Sequence, residues 1–261
     1  MKPICLGLVI LGLFATGCVS NSDAGAVPAV LPATVPAKNT EFMLTFDDGP
    51  TPDFTGRVLD VLARLSASDG APVVAGFFLL ADAPASFWQR RYYYAPYELW
   101  TRKGSIAKYP DVARRIRQSG HIIGNHSTHH SWLHWPWLNT NAAVLADLAR
   151  WEEIATPVIG ESDVRLFRPP YFMNTATVRE VAQREGYQIV MGESAGDASP
   201  FMSVSMVMRK TRAILANWDK PYPCVLVFHD IRPATYEHLG EIVANLQQNG
   251  FRLVHFDPER L

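Results

Sequence analysis

A basic excess is what this chain most plainly lacks: 24 Lys and Arg stand against 25 Asp and Glu, for a formal net charge of -1. Phosphate binding needs a concentrated cationic surface, so no nucleic-acid partner is expected. Cysteine is equally scarce, with three in 261 residues. Long apolar runs are missing after the N-terminus. The only one, Ile4 to Phe14, is too short to span a bilayer as a mature helix but has the length of a signal peptide after Lys2.

That run ends in Ala15-Thr16-Gly17-Cys18, which resembles a bacterial lipoprotein signal with Cys18 as the lipidation site, although Ala15 replaces the usual Leu. Residues 1–18 are therefore expected to be a leader. Residues 19–40, with Pro28, Pro32 and Pro36 and no amphipathic period, are expected to be a semi-stiff tether. The expected location is the bacterial cell envelope, with a lipid anchor as the membrane contact. Cys5 would leave with the leader and Cys18 would carry the lipid. Cys224 would then be a lone buried hydrophobe, with no intramolecular disulfide in the mature form.

What is present is an ordinary globular composition, 48% hydrophobic and 19% charged. From residue 41 onward, strands and helices alternate. Strands are expected near 41–46, 73–80, 121–125, 164–167, 187–191, 223–228 and 251–255. Helices are expected over a Val58-Leu59-Leu62-Leu65 stripe and near 110–118, 141–155, 175–185, 203–217 and 235–248. This rhythm implies parallel crossovers in an open sheet or a barrel. Residues 82–109 break it with Phe87, Trp88, Tyr92, Tyr93, Tyr94, Tyr97 and Trp100 among several Arg and Lys. They are expected to form an insertion, whose aromatics are candidates for sugar stacking, for packing against the domain or for membrane contact.

Histidine is concentrated: five of the eight (His121, His126, His129, His130, His134) fall in one window. If the segment after Asn125 is helical, His126 and His130 share a face and can close on one ion. A third ligand, a carboxylate, is then needed, and Asp47-Asp48 follows a buried strand. Neighbouring side chains on extended backbone point apart, so one carboxylate is expected to bind the ion and the other to take a proton. Asp47, Asp48, His126, His130, Arg168, Asp197 and His229 all fall at or just after strand C-termini, where parallel α/β barrels place their sites.

In order, Thr45-Phe46-Asp47-Asp48-Gly49-Pro50, His126-Ser127-Thr128-His129-His130, Arg168-Pro169-Pro170-Tyr171, a degenerate stretch at Asp197 and Val227-Phe228-His229 resemble the motifs of the polysaccharide deacetylases of carbohydrate esterase family 4. The resemblance covers about residues 41–256. It implies a distorted (β/α)7 barrel with parallel strands over 41–261, and a divalent metal on Asp48, His126 and His130; two histidines and one carboxylate suit Zn2+, and Co2+ or Ni2+ would fit the same ligands. It implies Asp47 as general base oriented by Arg168, and His229 as general acid oriented by Asp197. The backbone amide of Tyr171 would hold the oxyanion, and Pro170 and Val227 would contact substrate. The chain departs from the family pattern at Phe172, where glycine is usual, and at Ala198, where tryptophan is usual. Val227 stands for a leucine. The acetate-pocket wall is thus altered, with Trp132, Trp135 or Trp137 as candidate replacements.

The implied activity is removal of acetyl groups from N-acetylglucosamine residues of an envelope polysaccharide, peptidoglycan first. An O-acetyl esterase and a non-catalytic sugar-binding lipoprotein of the same fold are the alternatives. Nothing in the sequence indicates an oligomeric state.

Overall fold

The computed structural model describes residues 38–99, 103–161, 165–199 and 201–261. The expected leader and all but the end of the expected tether lie outside the described residues. In chain order the elements are β1 (Glu41–Asp47), α1 (Phe54–Leu62), β2 (Gly76–Leu79), α2 (Phe87–Tyr93), α3 (Pro110–Gln118), β3 (Ile122–Asn125), α4 (Asn141–Ile159) and β4 (Arg165–Phe167). They continue as α5 (Ala176–Arg184), β5 (Tyr187–Ile189), β6 (Glu193–Ser194), α6 (Val204–Ala216), β7 (Cys224–His229), α7 (Pro233–Tyr236), α8 (Leu239–Gln248) and β8 (Arg252–Leu253).

The strands form one sheet in the order β5-β4-β3-β2-β1-β7-β6, with every pairing parallel. β8 pairs with the foot of β1, at Glu41 and Phe42, just before β2 takes over that edge at Thr45. The two ends, β5 and β6, do not pair with each other among the described residues, so the sheet curls into an open half-barrel. The expected helix 235–248 is split in two, because His238 at φ -126 leaves the helical region between α7 and α8.

Strand alternation sorts the side chains into two layers. Phe42, Leu44 and Phe46 of β1 face outward with Phe77, Leu226 and Phe228. They pack there against Val58, Leu62, Ile116, Leu239 and Val243 of the covering helices. Burying each of these side chains contributes roughly 1.5–3 kcal/mol. Met43, Phe78, Leu166, Val190, Val225, Val227, Val254 and Phe256 fill the concave side as a separate cluster. The pleat that carries Met43 and Thr45 inward carries Asp47 inward next. The same step leads from Val227 to His229, from Gly124 to His126 and from Leu166 to Arg168. The polar residues are therefore the top layer of the apolar filling. Gly124 is required by its close neighbours, since a Cβ there would lie 2.5 Å from the Phe78 ring.

The described residues of 82–109 run as an excursion between β2 and α3, where the insertion is expected. Within it, α2 is capped by Ser86, which accepts from the Gln89 N–H while the Gln89 side chain accepts from the Ser86 N–H. Its return limb is laced to the β1 turn. The Gly104 N–H donates to the Asp48 carbonyl at 3.3 Å, and a Cβ on Gly104 would collide with the Pro50 carbonyl. Only glycine permits that approach.

Candidate active site

The His126–His130 segment is not helical. Left-handed backbone at Ser127 (φ 70) and His130 (φ 59) folds it back, so the two imidazoles meet with ring centroids 5.2 Å apart. Asp48 is left-handed too (φ 78), as are Tyr171 (φ 58) and Phe172 (φ 55). These five are the described non-glycine residues with positive φ, and they cluster at one place. Each such residue costs of order 1–3 kcal/mol, held by its surroundings. The turn at Asp48 also overrides strand alternation: the two carboxylates do not point apart but converge on His126. Its Nε2 lies 3.8 Å from Asp47 Oδ2 and 3.7 Å from Asp48 Oδ1.

Asp48, His126 and His130 form a metal site, with one ligand atom from each within 4.8 Å of the others. The donor set fits a divalent ion on three counts. His126 Nδ1 lies 2.8 Å from the Arg168 carbonyl, which can only accept, so Nδ1 carries the proton and Nε2 keeps its lone pair. Burial pushes the His126 pKa down to about 4 against the opposing pull of Asp47, so the ring is neutral, as a ligand must be. Asp48 Oδ1 is buried without a hydrogen-bond partner and lies 3.1 Å from His130 Nε2. Ligand bonds near 2.05 Å in a tetrahedron give edges of about 3.3 Å. The 3.1 and 3.7 Å separations bracket that value.

The other oxygen of Asp48 is engaged by the ammonium of Lys103, a buried residue of the insertion. Burial raises the Asp48 pKa, but Lys103 and His130 outweigh it and hold the carboxyl well below the ordinary range. Asp47 Oδ1 accepts from Arg168 Nη1 at 2.7 Å, and the same nitrogen donates to Thr45 Oγ1 at 2.9 Å. Arg168 is wholly buried, with its guanidinium 3.9 Å from the centre of the Phe78 ring.

Across the site, Asp197 Oδ1 lies 2.9 Å from His229 Nδ1, while Oδ2 accepts from the His229 N–H at 2.7 Å and from the Thr235 hydroxyl at 2.5 Å. Burial disfavours the His229 imidazolium, but the Asp197 charge and hydrogen bond outweigh it and push the pKa up to about 9. Arg168 and Asp197 thus serve different partners and are not an ion pair with each other.

Pro170 lines a cleft of about 340 Å³ with Tyr93, His129, Trp137 and Asp147. Val227 is fully buried one pleat below His229. Trp135 and Trp137 stack on each other, and Trp137 meets Tyr92 of the insertion. Cys224 is buried with its thiol pushed up to about 12, the inert hydrophobe expected.

Glu98, Lys103 and Asp147 join the site without having been singled out in the sequence. Lys103-Gly104 held a signal, since a glycine inside a charged, aromatic-rich insertion marks a close backbone approach. Asp147 on α4 accepts from the Thr128 N–H at 3.1 and 3.2 Å and from the Ser131 hydroxyl at 3.4 Å, and so braces the histidine loop. Burial pushes its pKa up to about 7 against those bonds. Asp147→Ala would strand the Thr128 N–H and is expected to cost about 1–3 kcal/mol, read as a lower urea midpoint. An unchanged midpoint would show that the loop does not depend on this brace.

A family model described as polysaccharide deacetylase matches residues 34–190. The chain is 30% identical over 229 residues to a peptidoglycan-N-acetylglucosamine deacetylase of Bacillus cereus, covering 84% of this chain and 68% of that one. It is 27% identical over 168 residues to a chitin deacetylase of Arthroderma benhamiae, covering 61% of this chain but only 38% of the fungal protein. The solved chitin deacetylase of Colletotrichum lindemuthianum shares the fold, with a TM-score of 0.64 at 23% identity over 84% of this chain and 86% of that one. By sequence match, fold and metal-ligand set, the chain belongs to the polysaccharide deacetylases of carbohydrate esterase family 4.

Proposed function

We propose that this protein hydrolyses acetyl groups from N-acetylglucosamine residues of a cell-envelope polysaccharide, peptidoglycan first. The observation that carries the reading is the placement of two proton carriers beside one metal site: Asp47 held by Arg168, and His229 held by Asp197. The bacterial relative that acts on peptidoglycan N-acetylglucosamine, similar over most of the chain, favours that substrate over chitin. A lipid on Cys18 and a short tether would keep the domain near such a polymer. Fractionation of cells carrying Cys18→Ser tests this, and an unchanged membrane fraction would count against the anchor.

When bound, a divalent ion, Zn2+ by its two-imidazole, one-carboxylate preference, supplies Lewis-acid polarisation of the acetyl carbonyl and a more acidic water. Asp47 then takes the proton of the attacking water on Oδ2, its Oδ1 being tied to Arg168. The backbone N–H of Tyr171 is the donor proposed for the oxyanion. Collapse needs a proton on the departing amide nitrogen. His229 delivers it from Nε2, because Nδ1 is committed to Asp197.

Acetate release from defined N-acetylated and O-acetylated glycans tests the assignment, together with metal analysis of the purified protein. Release from peptidoglycan fragments is expected. Release only from O-acetylated xylan would make it an esterase on the same centre. Glycan binding with no release from either would leave a non-catalytic sugar-binding protein.

A further inference from the structure

The two histidine ligands are anchored differently. His126 has its Nδ1 proton on the Arg168 carbonyl, whereas His130 Nδ1 is buried and makes no hydrogen bond within the protein. The carboxylate oxygen facing it is Glu98 Oε2, at 3.4 Å. That carboxylate belongs to the 3-10 turn Pro96–Glu98 of the insertion and is itself pinned. The Tyr171 hydroxyl donates to Oε2 at 2.7 Å and accepts from the Ala95 N–H at 3.0 Å. Glu98 also lies 3.5 Å from the Lys103 ammonium, and its side chain is only 15% exposed.

An imidazole that binds a metal through Nε2 carries its proton on Nδ1. A buried ring N–H with no acceptor costs about 1–3 kcal/mol, and metal-bound histidines almost always hand that proton to a carboxylate or carbonyl. We propose that Glu98 is a positioning residue of the metal centre, its carboxylate accepting the Nδ1 proton of His130 and thereby holding Nε2 toward the ion. A closure of a few tenths of an ångström from 3.4 Å makes this an ordinary hydrogen bond. The insertion is then part of the metal site rather than a decoration on its rim. Tyr171 acquires a side-chain task as well, fixing the acceptor. The competing role for Glu98 is an ion pair with Lys103 that merely fastens the insertion.

This inference rests on the metal site alone and not on the substrate, so its test needs no glycan. Dissociation constants for Zn2+ and Co2+ are measured by competition with a chromophoric chelator on the full domain, for wild type, Glu98→Ala, Glu98→Met and Glu98→Gln. Ala and Met are expected to weaken binding by about 10–100-fold. Gln, which still presents an oxygen to Nδ1, is expected to recover most of that loss. The absorption spectrum of the Co2+ form should shift in Ala and Met. Methionine keeps the side-chain volume and carries the test if alanine does not fold. Affinities for Met within threefold of wild type, or a Gln variant as weak as Met, would overturn the proposal, the second result marking the charge pair with Lys103 as the whole role. The expected affinity losses together with no acetate release from the wild type would instead fault the functional assignment and leave the role of Glu98 standing.

Discussion

Asp47→Asn is expected to lower kcat for acetate release by about 10²–10⁴-fold while metal stoichiometry stays near wild type. Asparagine keeps the shape and an oxygen for Arg168 Nη1, which lies 2.7 Å from Asp47 Oδ1, but it cannot take a proton. The substitution also has a folding cost. Arg168 is wholly buried, and removing the partner of a buried ion pair typically costs about 3–5 kcal/mol, softened here by the retained acceptor. The rate is therefore read on folded, metal-loaded protein, checked by circular dichroism and metal content. A kcat within tenfold of wild type on such material would remove Asp47 from the role of base.

His229→Ala is the second large loss, again about 10²–10⁴-fold in kcat on an amide substrate. Its signature separates it from the first. Activated aryl acetates, whose leaving group needs no proton, should lose far less than N-acetyl sugars. Equal losses on both would mean that His229 does not protonate the leaving group. The sign of the pH dependence follows from a histidine raised above its ordinary 6.5. The acid form is complete below 6.5 and is lost as pH rises through about 9, so the alkaline limb of the amide rate belongs to His229. Asp197→Asn removes the charge that holds the proton and is expected to move that limb to lower pH. A limb that stays in place in Asp197→Asn would break the link between the two residues.

Much of this site could be read from the sequence because strand period and motif order coincide. Asp47, His126, Arg168 and His229 each follow inward-facing residues by steps of two, so the pleat alone brings them to one layer. The division of the polar partners, Arg168 to Asp47 and Asp197 to His229, came from the family resemblance, and the geometry has that arrangement. Two local expectations failed for one reason. The i, i+4 spacing of His126 and His130 suggested a helix, and the adjacency of Asp47 and Asp48 suggested opposed side chains. Left-handed backbone at Asp48, Ser127 and His130 defeats both, and no residue type there announces it.

Glu98, Lys103 and Asp147 were hidden for a different reason. Lys103 reaches Asp48 across 55 residues, and Asp147 braces Thr128 across 19 from a helix on which it looks like one more polar residue. Such contacts leave no local period. In the insertion the aromatics dominated the pattern, while the two charges that enter the metal site looked like solubilising residues.

The register of β1 against β7 sets Asp47 directly beside His229, so the proposed base and the proposed acid are neighbours brought together from opposite ends of the domain. That strand pair closes a loop over nearly the whole domain, and the loop-closure entropy must be overcome before the two meet. A nascent or nicked chain ending before Cys224 would carry the Asp48, His126 and His130 ligands yet hold no acid to finish a turnover. The chemistry is in this way tied to completion of the chain: an incomplete molecule can at most capture an ion.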